Sequence, residues 1–180
     1  MNKNFTCLLI VCFFLASSFK DKEPVTYSPD QIARNVFKSL LETNATTFAT
    51  TYDIDVPDLE WYKKKIEADT FISPETKEDF VEEFTVYMHS ANKALPDDFK
   101  LKWEAYLKTN GIDKAGIKYI NSYYIQTNKK LGLPAIGLEI KFLYKGSYHY
   151  VEVSLLEINN HWKGVTITNT SACDKYFDGY

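Results

Sequence analysis

Between residues 134 and 169 apolar and polar side chains alternate with a period of two, cut by short turn signals into antiparallel ribbons. Ile136, Leu138, Ile140, Phe142 and Tyr144 fall on one side of an extended chain, and Glu139, Lys141 and Lys145 on the other. Neighbouring side chains of a strand point to opposite faces, so such a ribbon is buried on one side only. In the next run His149, Val151, Val153 and Leu155 share a face, while Tyr148, Tyr150, Glu152 and Ser154 share the other. A chain carrying this stretch must supply something apolar to cover it.

The turns set the expected pairing. At Lys145-Gly146-Ser147 a Lys-Gly loop would set Glu139 opposite Glu152, and directly opposed like charges cost stability. A Gly-Ser loop places Gly146 at the first central position of a type II′ turn. It pairs Lys141 with Glu152, Phe142 with Val151, Ile140 with Val153 and Tyr144 with His149, and is the expected register. Asn159-Asn160-His161 reads as a three-residue loop, with Glu157 opposite Lys163, Leu155 opposite Val165 and Val153 opposite Ile167. Residues 117–127 add a strand with Ile117, Tyr119, Tyr123 and Ile125 on a common face, and Asn121 interrupts that stripe.

The first half of the chain is helical. Ser28-Pro29-Asp30-Gln31 combines an N-cap, a first-turn proline and a capping-box glutamine. Ile32, Val36, Phe37, Leu40 and Leu41 follow on one face, ending near Asn44. A short turn with Phe48 and Tyr52 leads to a second helix near Pro57, with Leu59, Tyr62 and Ile66 inward. Ser73-Pro74-Glu75 opens a third through Phe80, Phe84 and Met88, and Pro96 is expected to break it. Phe99, Trp103 and Leu107 mark a fourth, closed by Gly111. Helices first and strands last define an α+β class: four N-terminal helices packed on a curved C-terminal antiparallel meander of about four strands.

This order of parts resembles the nuclear transport factor 2-like (cystatin-like α+β) superfamily. The resembling residues are Ser28-Pro29-Asp30-Gln31 through Leu40-Leu41, then Asn44 and Phe48, and Trp162-Lys163-Gly164-Val165 after a tight turn. The resemblance implies a cone-shaped pocket, dimers across the sheet, and ligand binding or, in some branches, isomerase or dehydratase chemistry. Residues 73–110 hold more helix than that pattern, and no catalytic residue carries over.

Residues 1–18 have the make-up of an export signal: Lys3, an apolar core from Leu8 to Leu15, and small residues at Ala16-Ser17-Ser18. The expectation is export to a periplasmic or extracellular space after cleavage near Ser18. Lipidation at Cys12 is disfavoured by Val11 before it and Phe13-Phe14 after it. Cleavage removes Cys7 and Cys12, leaving Cys173 alone and no internal disulfide within the expected domain, 19–170, or the tail, 171–180. Loss of Lys3 takes the net charge from −3 to −4, which argues against nucleic acid as a partner.

No sequence pattern points to nucleophilic catalysis, a phosphate loop, a cofactor or a metal; His89 and His161 have no second ligand at metal spacing. The tail Asp174–Gly179 only echoes a calcium loop, with Tyr176 where an oxygen ligand belongs. His149 reads either as one of a polar pair with Tyr144 at a pocket mouth or, preferably, as a hairpin-tip histidine stacked on a tyrosine. Tyrosines join an apolar body to a polar tip, so Tyr119, Tyr123, Tyr144 and His149 are the candidate ligand-binding residues. On the other face Tyr148, Tyr150, Leu156, Ile158 and Trp162 call for a cover, either a helix or a partner subunit. The expected function is non-catalytic binding of a small, partly apolar ligand between sheet and helices. The alternatives are interaction or homodimerisation through the outer sheet face, and a pocket enzyme of isomerase or hydratase type.

Overall fold

The computed structural model describes residues 28–173, with backbone alone for 124–129; residues 1–18, expected to be an export signal, and the tail Asp174–Gly179 lie outside the described residues. Helix α1 (Pro29–Glu42) starts where Ser28 accepts a hydrogen bond from the Gln31 amide at 3.3 Å. The capping box does not close, because the Gln31 side chain donates onward to Asn35 at 3.1 Å. The segment expected as a turn is helix α2 (Ala45–Tyr52), capped by Asn44, which accepts from the Thr47 amide at 3.0 Å. Helix α3 (Val56–Ala68) carries the reciprocal box: Asp55 accepts from the Asp58 amide and Asp58 from the Asp55 amide, both at 3.0 Å.

The break expected at Pro96 does not occur. Helix α4 (Pro74–Asp98) runs through it into a π-helical segment (Phe99–Glu104) and helix α5 (Ala105–Thr109). Leu95, Phe99, Trp103 and Leu107 are all buried and recur every fourth residue. In an α-helix of 3.6 residues per turn that spacing drifts by about 40° per step. The wider π turn absorbs the drift and keeps one apolar face on the sheet. Strand β4 anchors it, with Thr170 Oγ1 donating to the Lys102 carbonyl at 3.1 Å and Lys102 Nζ to the Ile167 carbonyl at 2.7 Å.

Four antiparallel strands follow in the order β1-β2-β3-β4: β1 (Lys118–Lys130), β2 (Leu133–Tyr144), β3 (Ser147–Ile158) and β4 (His161–Cys173). The expected faces of β2 and β3 hold, but the expected Gly-Ser register does not. Glu139 lies opposite Glu152, Ile140 opposite Val151, Phe142 opposite His149 and Tyr144 opposite Ser147. The turn residues Lys145 and Gly146 have φ of 46° and 86°, positive at both central positions as a type I′ turn requires. Its twist matches that of the strands, and this outweighs one half-exposed pair of like charges flanked on the same face by Lys141. The shift is two residues, which leaves every side chain on its expected face.

The β3–β4 turn is also tighter than expected. Asn159 and Asn160, with φ of 50° and 62°, form a two-residue loop that sets Glu157 opposite Trp162 rather than Lys163. A bulge at Gly164 (φ +61°) then restores the expected pairing of Val153 with Ile167. Before the bulge the one-residue difference moves Trp162 from the outer to the inner side, where it packs on the main core. Cys173 is the last residue of β4, paired with Tyr148, so the sheet extends past residue 170.

The main core lies between the inner sheet face, α1, α2 and the π–α5 end of the long rod. Phe37, Phe48, Phe99, Trp103 and Phe142 fill it, each 3% exposed or less. A second cluster joins Leu133, Leu156 and Ile158 to Ile54, Tyr62, Ile66, Phe84 and Met88. Helices α3 and α4 are therefore the cover that Leu156 and Ile158 required, with Tyr62 stacked on Phe84 at 4.1 Å.

Candidate functional site

The four tyrosine and histidine positions singled out in the sequence do not form one site. Tyr119 is on the inner side, tilted against Phe37 at 5.7 Å, with its hydroxyl donating to Asp30 at 2.5 Å. That hydrogen bond, with Arg34 beside it, holds the Asp30 carboxyl below the usual range, and burial pushes the Tyr119 phenol up to about 12. The pair pins α1 to β1. A bulge between Tyr119 and Asn121 then reverses the alternation, so Asn121 and Tyr123 lie opposite Lys141 and Glu139 on the outer face. There the Tyr123 hydroxyl accepts from Asn121 Nδ2 at 2.9 Å, and Lys141 Nζ is 5.3 Å from its ring centroid. The side chain of Ile125 lies outside the described residues.

Tyr144 is 9% exposed and closes the core against Gly116, where an added Cβ would stand 2.9 Å from its ring. His149 is paired with Tyr106 rather than Tyr144: its Nδ1 lies 2.7 Å from the Tyr106 hydroxyl, and its ring stacks on Phe142 at 5.3 Å. Burial pulls the imidazole below its ordinary value and pushes the Tyr106 phenol up to about 12. One hydrogen bond joins Nδ1 to the Tyr106 hydroxyl, and the charged ring is disfavoured there because the site is buried. A group depressed in the folded state stabilises it fully above its unfolded pKa and loses that contribution as pH falls through the folded one. The melting temperature should therefore fall between about pH 7 and 5, and His149→Phe should flatten that slope in thermal unfolding followed by circular dichroism.

A cleft of about 250 Å³ opens at the other end of the helix–sheet seam, between α1, α2 and the start of β4. Ile32 and Val36, 4% and 1% exposed, form an apolar floor, and Tyr52 and the half-buried Trp162 stand as walls. Asn35, Thr51, His161 and Lys163 supply the rim. The geometry descends from local signals: the Asn159-Asn160 turn brings Trp162 inward, and α2 presents Tyr52 one turn after Phe48. The Tyr52 hydroxyl donates to Ser39 Oγ at 3.3 Å, and burial raises its pKa despite that bond.

Lys163 is already neutralised. Its Nζ donates to Asp58 Oδ2 at 2.5 Å and to Asp55 Oδ2 at 3.3 Å. Burial opposes its charge, but the bond to Asp58 and the two carboxylates outweigh burial and raise the ammonium pKa. The cleft thus offers an aromatic wall, a dry floor and neutral hydrogen-bonding groups, with no unpaired cation to attract an anion. Among the described residues no group of three or more His, Cys, Asp and Glu is placed to hold a metal ion. Sequence reasoning missed Trp162 because a three-residue loop assigns it to the outer face. The signal was present in the Asn-Asn pair, since asparagine tolerates positive φ and suits a two-residue I′ turn.

No family model, curated protein or solved structure matches the chain. What fold and geometry define is an α+β protein, an open four-stranded antiparallel meander under N-terminal helices. Among the described residues no helix is long and apolar enough to cross a membrane.

Proposed function

We propose that this chain is an exported, non-catalytic binding protein that holds one small, neutral, partly apolar ligand in the cleft walled by Trp162 and Tyr52. The observation that carries this reading is the contrast along the helix–sheet seam. The centre is filled by Phe37, Phe99, Trp103 and Phe142, whereas the hairpin end leaves about 250 Å³ open beside a half-buried tryptophan. That volume lies below the ~300 Å³ lower end of drug-sized sites, so the occupant has one ring with short substituents. A face of that ring stacks on Trp162, and Asn35 and Thr51 satisfy its polar edge. The resemblance to the nuclear transport factor 2-like superfamily supports a ligand between sheet and helices.

Native mass spectrometry of the protein from its own host should report a retained small molecule. Trp162→Ala should lose it, with affinity falling at least about tenfold as the stacking surface goes. Retention unchanged by Trp162→Ala would reject the site. A second reading, pairing of two copies through the outer sheet face, is favoured by the half-buried Tyr123, Leu143, Tyr148 and Tyr150 around Lys141. Light scattering of the wild type and of Tyr150→Glu separates it: a dimer dissolved by that change supports the second reading, and a monomer in both supports the first alone.

A further inference from the structure

We infer that the hairpin of α3 and α4 is a docking groove for a cationic amphipathic helix of another protein. A groove of about 580 Å³ runs between the two helices, with Ile66, Pro74 and Val81 as its apolar lining and Glu67, Glu78 and Glu82 around it beside Lys63 and Lys77. Glu82 also borders a second groove of about 600 Å³ on the far side of α4, where Asp79 and Glu83 stand beside Val86 and Leu131. Val86 is 62% exposed, and the turn joining the helices carries Phe71 at 98% exposure. Apolar area is left open at this end of the molecule although α3 and α4 bury their opposite sides in the second core cluster.

The charges decide what fits. The lysines here have contacts within the molecule: Lys63 with Glu60 at 2.9 Å, Lys77 with the Glu67 carbonyl at 2.7 Å, and Lys130 4.0 Å from the Tyr87 ring centroid. Glu78, Asp79, Glu82 and Glu83 are exposed, and among the described residues none has an ion pair. They form two like-charged i, i+4 pairs, Glu78–Glu82 and Asp79–Glu83, an arrangement that weakens a helix on its own. Those carboxylates have no cationic partner among the described residues, and their complement is a basic segment. An apolar groove between two helices, rimmed by unpaired acid, matches an amphipathic helix whose leucines enter the groove and whose lysines meet the rim. An anionic lipid surface or a nucleic acid would be repelled by the same rim.

The probe is a labelled synthetic helix about two heptads long, with Leu at helical spacing and Lys elsewhere. Fluorescence anisotropy should show saturable binding that weakens at high salt. Glu78→Lys combined with Glu82→Lys should weaken it at least about tenfold, and so should Val81→Asp. Glu78 and Glu82 are exposed, whereas Val81 packs at the edge of the second core cluster, so a thermal melt checks that each variant folds and the charge reversal carries the test if Val81→Asp does not fold. A scrambled peptide of the same composition should bind at least about tenfold more weakly, because charge alone does not require periodicity. Equal binding of the scrambled peptide, indifference to the charge reversal, or no binding at all would each overturn the inference. The Trp162 cleft lies outside these grooves, so ligand retention tests the two proposals separately.

Discussion

Trp103→Ala is expected to lose about 3–5 kcal/mol of stability, and about 1 kcal/mol more for a broken hydrogen bond. Trp103 is 0% exposed, lies 5.6 Å from Phe142 and 6.3 Å from Phe37, and donates Nε1–H to the Leu40 carbonyl at 3.0 Å. It joins the π segment, α1 and the sheet at one point, and no single neighbour can fill the space it leaves. For a domain of this size the melting temperature should fall by about 10–20 °C. Trp103→Phe should cost less, because Lys114 Nζ also donates to the Leu40 carbonyl, at 3.1 Å. A chemical denaturation series checks both, and a cost below about 1 kcal/mol for the alanine variant would mean that the core does not rest on this residue.

Asp58→Ala should be nearly as damaging, at about 3 kcal/mol. Asp58 is 4% exposed and does two things at once: it caps α3 by accepting from the Asp55 amide, and it holds Lys163 at the cleft. Its removal leaves the Lys163 ammonium, with the side chain only 19% exposed, facing the more exposed Asp55 alone. Lys163→Met should cost less, and the double variant should be less destabilised than Asp58→Ala, because the stranded charge has gone with its partner. The pH dependence has two limbs. The raised Lys163 pKa stabilises the fold below its unfolded value and loses that contribution as pH rises through the folded one. Asp55, whose carboxyl is lowered chiefly by the Asp58 amide, contributes above its unfolded value and fails as pH drops through the folded one. Since Lys163 also borders the cleft, Asp58→Ala should weaken ligand retention even at temperatures where the protein is folded.

Much of the sheet was legible because side-chain parity is a local property. Ile136 to Tyr144 and His149 to Leu155 fall on the buried face as their alternation requires. Register was not legible by the same means, since a shift of two residues leaves that parity intact, and charge disfavours Glu139 opposite Glu152 where the twist of the turn favours it. The candidate site was less legible still. Whether Tyr123 faces with Tyr119 or against it depends on a bulge at Ile120, and Asn121 marked the irregularity without saying how it resolves. Pro96 shows the converse: a strong local breaker was overridden because the four-residue spacing from Leu95 to Leu107 is buried against the sheet in a π turn.

The amino-acid sequence by itself determined the order of helices before strands, most of the element starts and the buried face of β2 and β3, because hydrophobic periodicity and capping act over a few residues. Only the tertiary structure decided which strand residues meet, that Phe37, Phe99 and Trp103 fill the centre of the seam, and that Trp162 stands beside Tyr52 at its open end. Those outcomes depend on bulges and on packing between residues over a hundred positions apart, such as Asp55 and Lys163, and no local pattern encodes such distances.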